Sequence, residues 1–228
     1  MGSHGDNSPK ITSTEGLTDS LLMSPKLSFE IALHGLSLWA SMGFLMPVGI
    51  LIIRMSNREK CGQKLRILLS IHAGLQMLAI LLSTAAAIIS IKNFDNSFSN
   101  NHQRMGVFLY CAVWIQALIG LIRPQRGTKG RTTWFSVHWL YGTAVSLLGI
   151  INIYTGLQAY HKRAHKSIRL WSVLFTVEIS LIAFIYLFQD KWEYMQSQGM
   201  SLGNELIRTV KENIPTRDNQ KGKMLEPC

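Results

Sequence analysis

The chain has 228 residues, of which 47% are hydrophobic and 16% charged, and a formal net charge of +10. So apolar and lightly charged a composition excludes an ordinary soluble domain of this length and makes the bilayer the expected solvent. The positive balance does not point to nucleic acid, because Lys and Arg cluster in short segments between apolar runs, as they do at the flanks of membrane helices.

Residues 1–26 are rich in Ser, Thr, Gly, Asp and Asn and contain no apolar run suited to a signal peptide, so they read as a flexible tail. Five apolar runs follow, approximately Phe29 to Ile53, Leu65 to Ile91, Met105 to Ile122, Trp134 to Leu157 and Ile168 to Phe188. At ~1.5 Å per residue each can cross a ~30 Å hydrocarbon core. The expected fold is an all-α membrane protein, a bundle of five transmembrane helices. Its connections are short and polar, so consecutive helices are antiparallel neighbours. The transmembrane domain is placed at 27–190 and a polar cytoplasmic tail at 191–228, with a weakly amphipathic piece around Leu202 to Val210. Cations are dense in the first and third connections and in the C-terminal tail, which puts the N-terminus outside and the C-terminus in the cytoplasm. The fourth connection, with Lys162, Arg163, Lys166 and Arg169, dissents from that count. Cys61, Cys111 and Cys228 form neither a disulfide framework nor a CxxC pair.

An imidazole inside hydrocarbon needs a partner. His34, His72, His102 and His138 fall one to each of the first four helices. His34 is twenty positions before Arg54, about 30 Å from the cytoplasmic end of its helix, and His102 enters from the same outer side. His72 follows Arg66 by six residues and His138 follows Arg131 by seven, which places both about 9 to 10 Å inside the cytoplasmic surface. The four thus sort by depth into His34 with His102 and His72 with His138. Small residues continue two of these faces: Ala79, Ser83 and Ala87 beyond His72 and Gln76, and Gly142, Gly149 and Gly156 beyond His138. Such a stripe leaves room for something flat, although close helix packing uses the same residues. Two imidazoles are half of a tetrahedral zinc set and no Cys, Asp or Glu nearby completes it, whereas they fill both axial positions of a haem iron. Without CxxCH the attachment is non-covalent, so the expected cofactors are two haem b, with His34 and His102 on the outer iron and His72 and His138 on the cytoplasmic-side iron. Four of the five helices would thus form a dihaem core, its haems about 20 Å apart along the membrane normal and carrying single electrons. Trp39, Phe44, Phe108, Tyr110, Trp114 and Tyr141 are candidates for lining that path, with ordinary packing as the competing role.

The stretches HGLSLWASMGFLMPVGILIIR, IHAGLQ, NHQRMGVFLYCAVWIQALIGLIRPQ and WFSVHWLYGTAVSLLGIINIYTG closely resemble the cytochrome b561 family, over about Leu27 to Phe188. The likeness is to the plant domain-containing members, and the short segment before helix one leaves no room for the DOMON domain many of them carry. The resemblance implies two b haems held by the same histidine pairs. It further implies ascorbate as cytoplasmic donor and monodehydroascorbate or ferric chelates as outer acceptors. Lys60, Lys64, Arg66, Arg126 and Arg131 are candidate contacts for an ascorbate anion or for haem propionates, with a purely topological role as the competing reading.

Glu178, in the middle of helix five, is expected to be protonated and hydrogen-bonded in the bundle, with proton coupling as the competing role. His161 and His165 are expected in a solvated outer loop. Membrane lipid and a second copy of the chain are counted among the candidate partners, and nucleic acid is not. The function expected is transmembrane electron transfer, an ascorbate-dependent, ferric-reductase-like oxidoreductase activity if the chain acts alone. Two alternatives stay open: a non-catalytic haem-binding subunit acting as a sensor or assembly partner, and a haem-free transporter or receptor with a polar histidine core.

Overall fold

Ser24 and Pro25 open the first helix: the Ser24 hydroxyl accepts from the Leu27 amide at 3.2 Å, and Pro25 occupies a position whose N–H has no helical partner. The computed structural model describes residues 24–56, 62–94, 97–98, 100–125, 127–164 and 167–212. Within these lie five helices long and apolar enough to cross a membrane. They are α1 (Pro25–Met55), α2 (Gly62–Asn93), α3 (Asn101–Leu121), α4 (Gly130–Ala164) and α5 (Arg169–Glu212), the last with its membrane-crossing part at Arg169–Gln196. The described residues contain no strand.

Part of α1 is not α-helical: Trp39–Leu45 form a π-helix, and the Met46 amide reaches back to the Ser41 carbonyl. Pro47 follows directly. A proline ring collides with the carbonyl four residues earlier in a regular α-helix and supplies no N–H, and a wide turn just before it relieves both problems. The π turn buries Ser41, Met42 and Gly43.

Antiparallel α1 and α2 are tied at three heights. The His34 Nδ1 donates to the Ala86 carbonyl at 2.9 Å, the Ser41 hydroxyl to Ala79 at 2.6 Å, and the His72 Nδ1 to Gly49 at 2.8 Å. Along α2 these heights are seven and seven residues apart, and along α1 seven and eight. The extra residue is the one the π turn absorbs. Between the upper and lower heights sits a core of Met42, Met46, Ile80, Leu109, Val113 and Val145, drawn from α1 to α4.

α5 lies at the side of this four-helix core: 6% of its apolar window is buried, against 39% for α1. It is attached by the Trp39 indole N–H donating to Glu178 Oε2 at 2.7 Å, by Tyr154 against Phe175 and the Thr176 hydroxyl, and by the Arg54 guanidinium 3.7 Å above the Tyr186 ring. Glu178 is therefore hydrogen-bonded within the bundle, at its first-helix face.

Helix boundaries extend beyond the apolar runs. α3 starts at Asn101, four residues before Met105, because the Asn100 side chain accepts from the Gln103 amide at 2.9 Å and caps it. α4 continues to Ala164, and its last turn holds His161 with Lys162 and Arg163, whose charges complement the carbonyl end of a helix. His161 is thus exposed on a helix and not in a loop. α5 runs on through 189–212, where a polar tail was expected to follow the span. The N-terminal 23 residues, Cys61, His165, Lys166 and everything after Glu212 lie outside the described residues.

Replacing Glu178 by alanine removes the acceptor of Trp39 and is expected to cost about 1 kcal/mol, while Glu178→Gln keeps an acceptor oxygen and costs less. Detergent-induced unfolding followed by circular dichroism measures both, and equal losses in the two variants would remove the Trp39 bond from the account.

Candidate haem site

Hydrocarbon offers no water, so each ring N–H of an embedded histidine has to be accepted inside the protein. A helical carbonyl already bonded along its own helix keeps a second lone pair, and three of the four histidines use one. His34 and His72 donate to Ala86 and Gly49 as above, and His102 Nδ1 lies 3.1 Å from both the backbone carbonyl and the Oδ1 of Asn152. A carbonyl only accepts, so in these three rings Nδ1 carries the proton and Nε2 is the nitrogen with a free lone pair.

The four rings meet in two pairs. The His34 and His102 ring centres are 6.3 Å apart with planes at 90°, and those of His72 and His138 are 6.5 Å apart at 82°. With metal–nitrogen bonds of about 2 Å on either side, two imidazoles sharing an iron have centres roughly 6 Å apart. The spacing therefore fits a metal ion between each pair. No group of three or more His, Cys, Asp or Glu suited to a metal ion occurs among the described residues. Each pair would thus offer two nitrogen ligands to an iron whose remaining ligands a porphyrin would supply.

Glycines beside the rings make their placement possible. A Cβ on Gly156 would sit 2.8 Å from His102 Cε1, one on Gly120 would sit 3.4 Å from His138 Cε1, and one on Gly49 would collide with the Gln76 amide that bonds Met46. At Gly142 the space is taken by the Gln116 amide, 2.5 Å from where a Cβ would be, and at Gly149 by Met42. Several of the small residues on the α4 face thus admit imidazoles, their supporting amide and a methionine.

Beside His138 stand two side chains, Trp134 and Gln116, that the sequence alone does not single out. Trp134 stacks on this ring at 5.1 Å and 6°, and is itself held by its N–H to the Ile119 carbonyl at 2.7 Å. The Arg131 guanidinium lies 4.7 Å over Trp134 and donates to the Pro124 carbonyl at 3.0 Å. Gln116 Nε2 donates to the His138 carbonyl at 2.9 Å and lies 3.1 Å from His138 Nδ1. The regular spacing of Arg131, Trp134 and His138 on one helix face was the available signal. Of the five candidate cations, Arg131 is brought to the His138 end, Lys64 and Arg66 are exposed in the opening turns of α2, and Lys60 and Arg126 lie outside the described residues. Among the aromatic candidates, Phe44, Phe108 and Trp114 face outward and Trp39 meets α5 through Glu178, whereas Tyr141 packs against the core between the two pairs.

A membrane-crossing bundle that pairs imidazoles across helices is of the transmembrane b-type cytochrome class. The profile of eukaryotic cytochrome b561 matches residues 33–163, an interval containing all four histidines. The chain belongs to the cytochrome b561 family: it is a multi-pass integral membrane protein and a haem b electron carrier. A curated cytochrome b561 domain-containing protein of Arabidopsis thaliana is 49% identical over 90% of this chain and 79% of its own length. Two cytochrome b561 and DOMON domain-containing proteins of Arabidopsis thaliana are 26% and 30% identical over 81% and 55% of the chain, which spans 45% and 31% of them. No solved structure matches.

Gly156→Ala is expected to displace the His102 ring and to cost about 1 to 3 kcal/mol, with haem lost on purification. Gly35→Ala, with nothing within 4 Å of the added carbon, is the control and is expected to retain it. Haem per protein, measured by absorbance, checks both.

Proposed function

We propose that this chain holds two non-covalent b haems, one between His34 and His102 near the outer surface and one between His72 and His138 near the cytoplasm. It would pass electrons from cytoplasmic ascorbate to an outer acceptor such as monodehydroascorbate or a ferric chelate. The observation that carries the reading is the spacing of the two imidazole pairs, 6.3 and 6.5 Å, on four antiparallel helices. The bound haems supply reversible one-electron exchange between ferric and ferrous iron.

The protein's own residues do the rest. Ala86, Gly49 and Asn152 carbonyls hold three rings with Nε2 free. The apolar layer of Met42, Met46, Ile80, Leu109 and Val145 separates the two pairs and keeps water from the space between them. With two imidazoles at each haem, substrates would exchange electrons at the edges of the sites. On the cytoplasmic side Arg131, with Lys64 and Arg66 on the exposed start of α2, offers positive charge to an ascorbate anion. Each ascorbate monoanion would give up one electron and one proton there, the proton passing to cytoplasmic water, and leave as the monodehydroascorbate radical anion, and one electron would reduce the acceptor outside. The N-terminus lies outside and the C-terminus in the cytoplasm in this arrangement, in keeping with the cations of the first connection.

Detergent-purified protein is expected to contain two haems per chain, both reduced by ascorbate, and His34→Leu and His138→Leu are each expected to leave one. One haem in the unaltered chain, or two in His138→Leu, would refute the assignment. In vesicles loaded with ascorbate, reduction of external ferric chelate should depend on the protein.

A further inference from the structure

α5 contributes no imidazole, yet two of its side chains converge on the π turn of α1. Phe175 is the one buried side chain among the described residues of α5. Its Cε2 lies 2.9 Å from where a Cβ on Gly43 would stand, so the ring closes directly on the backbone of the turn, with Trp39 Cδ1 and Ile153 Cδ1 at 3.2 and 3.3 Å from the same point. Tyr154 packs on this ring at 5.0 Å between centres, and its hydroxyl meets that of Thr176 at 2.8 Å. Nearly one turn further along α5, Glu178 Oε2 accepts from the Trp39 indole at 2.7 Å. Trp39 opens the π turn and Gly43 lies within it.

Pro47 forces α1 to depart from regular geometry but does not dictate the form of the departure, since a proline in a long helix commonly kinks it instead. A π turn is rare and persists where its neighbours hold it. Ser41 holds this one toward α2 through Ala79, and Phe175 with Glu178 holds it toward α5. The residues that follow the turn serve the cytoplasmic-side imidazoles. The Met46 carbonyl accepts from the Gln76 amide at 3.1 Å and the Gly49 carbonyl from His72 Nδ1 at 2.8 Å, and Gln76 and His72 lie one turn apart on α2. Both acceptors come within four residues of the end of the turn, so its form sets where they point. The acceptors of His34 and His102 stand on α2 and α4 and do not depend on it.

We infer that Phe175 and Glu178 are positioning residues for the cytoplasmic-side imidazole pair, on the proposed reading that a haem sits between His72 and His138. α5 clamps the π turn from beside the four-helix core, and through the turn it aims the Gly49 carbonyl that orients the His72 ring. A helix that holds no ligand thus fixes the geometry of one level and leaves the other alone.

Phe175→Ala opens the clamp without altering α1, and Phe175→Leu keeps an apolar side chain against Gly43. Two measurements on the purified full chain read the result. Hydrogen–deuterium exchange followed by mass spectrometry reports on the joint itself, whether or not haem is bound. In Phe175→Ala the exchange of residues 39–49 is expected to rise about tenfold while that of residues 27–36 stays. Electron paramagnetic resonance of the oxidised protein reports the imidazole orientation at each low-spin haem, and the signal missing from His138→Leu belongs to the cytoplasmic-side one. That signal is expected to shift in Phe175→Ala and to keep its place in Phe175→Leu, with the His34/His102 signal unmoved in both. Glu178→Leu removes the acceptor of Trp39 and is expected to act in the same direction; it replaces Phe175→Ala if that variant does not fold. Unchanged exchange at 39–49, raised exchange with both signals unmoved, equal shifts at the two levels, or the same change in Phe175→Leu as in Phe175→Ala would overturn the inference. Failure of the two-haem reading is distinguishable, since it appears in the unaltered chain as the absence of any signal that His138→Leu removes, and the exchange data then still decide whether α5 holds the joint.

Discussion

Everything in this bundle is arranged around one demand: a ring N–H inside hydrocarbon must meet an acceptor that is not water. The second lone pair of a helical carbonyl meets it for His34, His72 and His102. Such a bond contributes modestly, about 0.6 to 2 kcal/mol between membrane helices, whereas an unmet polar group there costs several. The larger number is the penalty, so these contacts act chiefly by excluding other registers. α1 slid against α2 by one residue would strand two imidazoles at once. The same holds for α3 and α4 through Asn152 and Gln116.

With register set at the ends and by the Ser41 bond to Ala79 between them, the rest of the middle has only to fill space. Met42, Met46, Ile80 and Val113 do so without polar atoms that need partners. Flexible methionines suit a layer whose neighbours are positioned by constraints above and below it. This division of labour fits the membrane electron carriers of the cytochrome b561 family. Polar supports stand at the two imidazole levels, and the layer between them is mostly apolar.

The five membrane crossings, their order and the histidine pairing were legible in the residues, because apolar length and the rise of a helix place His34 opposite His102 and His72 opposite His138. Helix ends were less so. Hydropathy reports where the membrane is, whereas Asn100 and the basic last turn of α4 extend helices beyond it through capping and dipole interactions. The glycine stripe on α4 was visible as a pattern, but whether each gap admits a cofactor, an imidazole or an amide depends on which side chain a neighbouring helix presents. Trp134 and Gln116 went unread for that reason: their roles exist only once α3 and α4 are packed. The exposure of Phe44, Phe108 and Trp114 makes the same point, since an aromatic beside a histidine in depth need not share its face.

The π turn at Trp39–Leu45 makes α1 two rulers joined end to end. A residue added or removed there rotates the lower half by about 100° relative to the upper. Gly49 would turn away from His72 while His34 kept its hold on Ala86. The upper and lower halves of the helix are in this sense separate lengths, and the joint between them sets how they are aligned. A change in the distance between the two histidine levels would require matching alterations at that joint and on α2, whereas substitutions elsewhere in the helix leave the alignment alone.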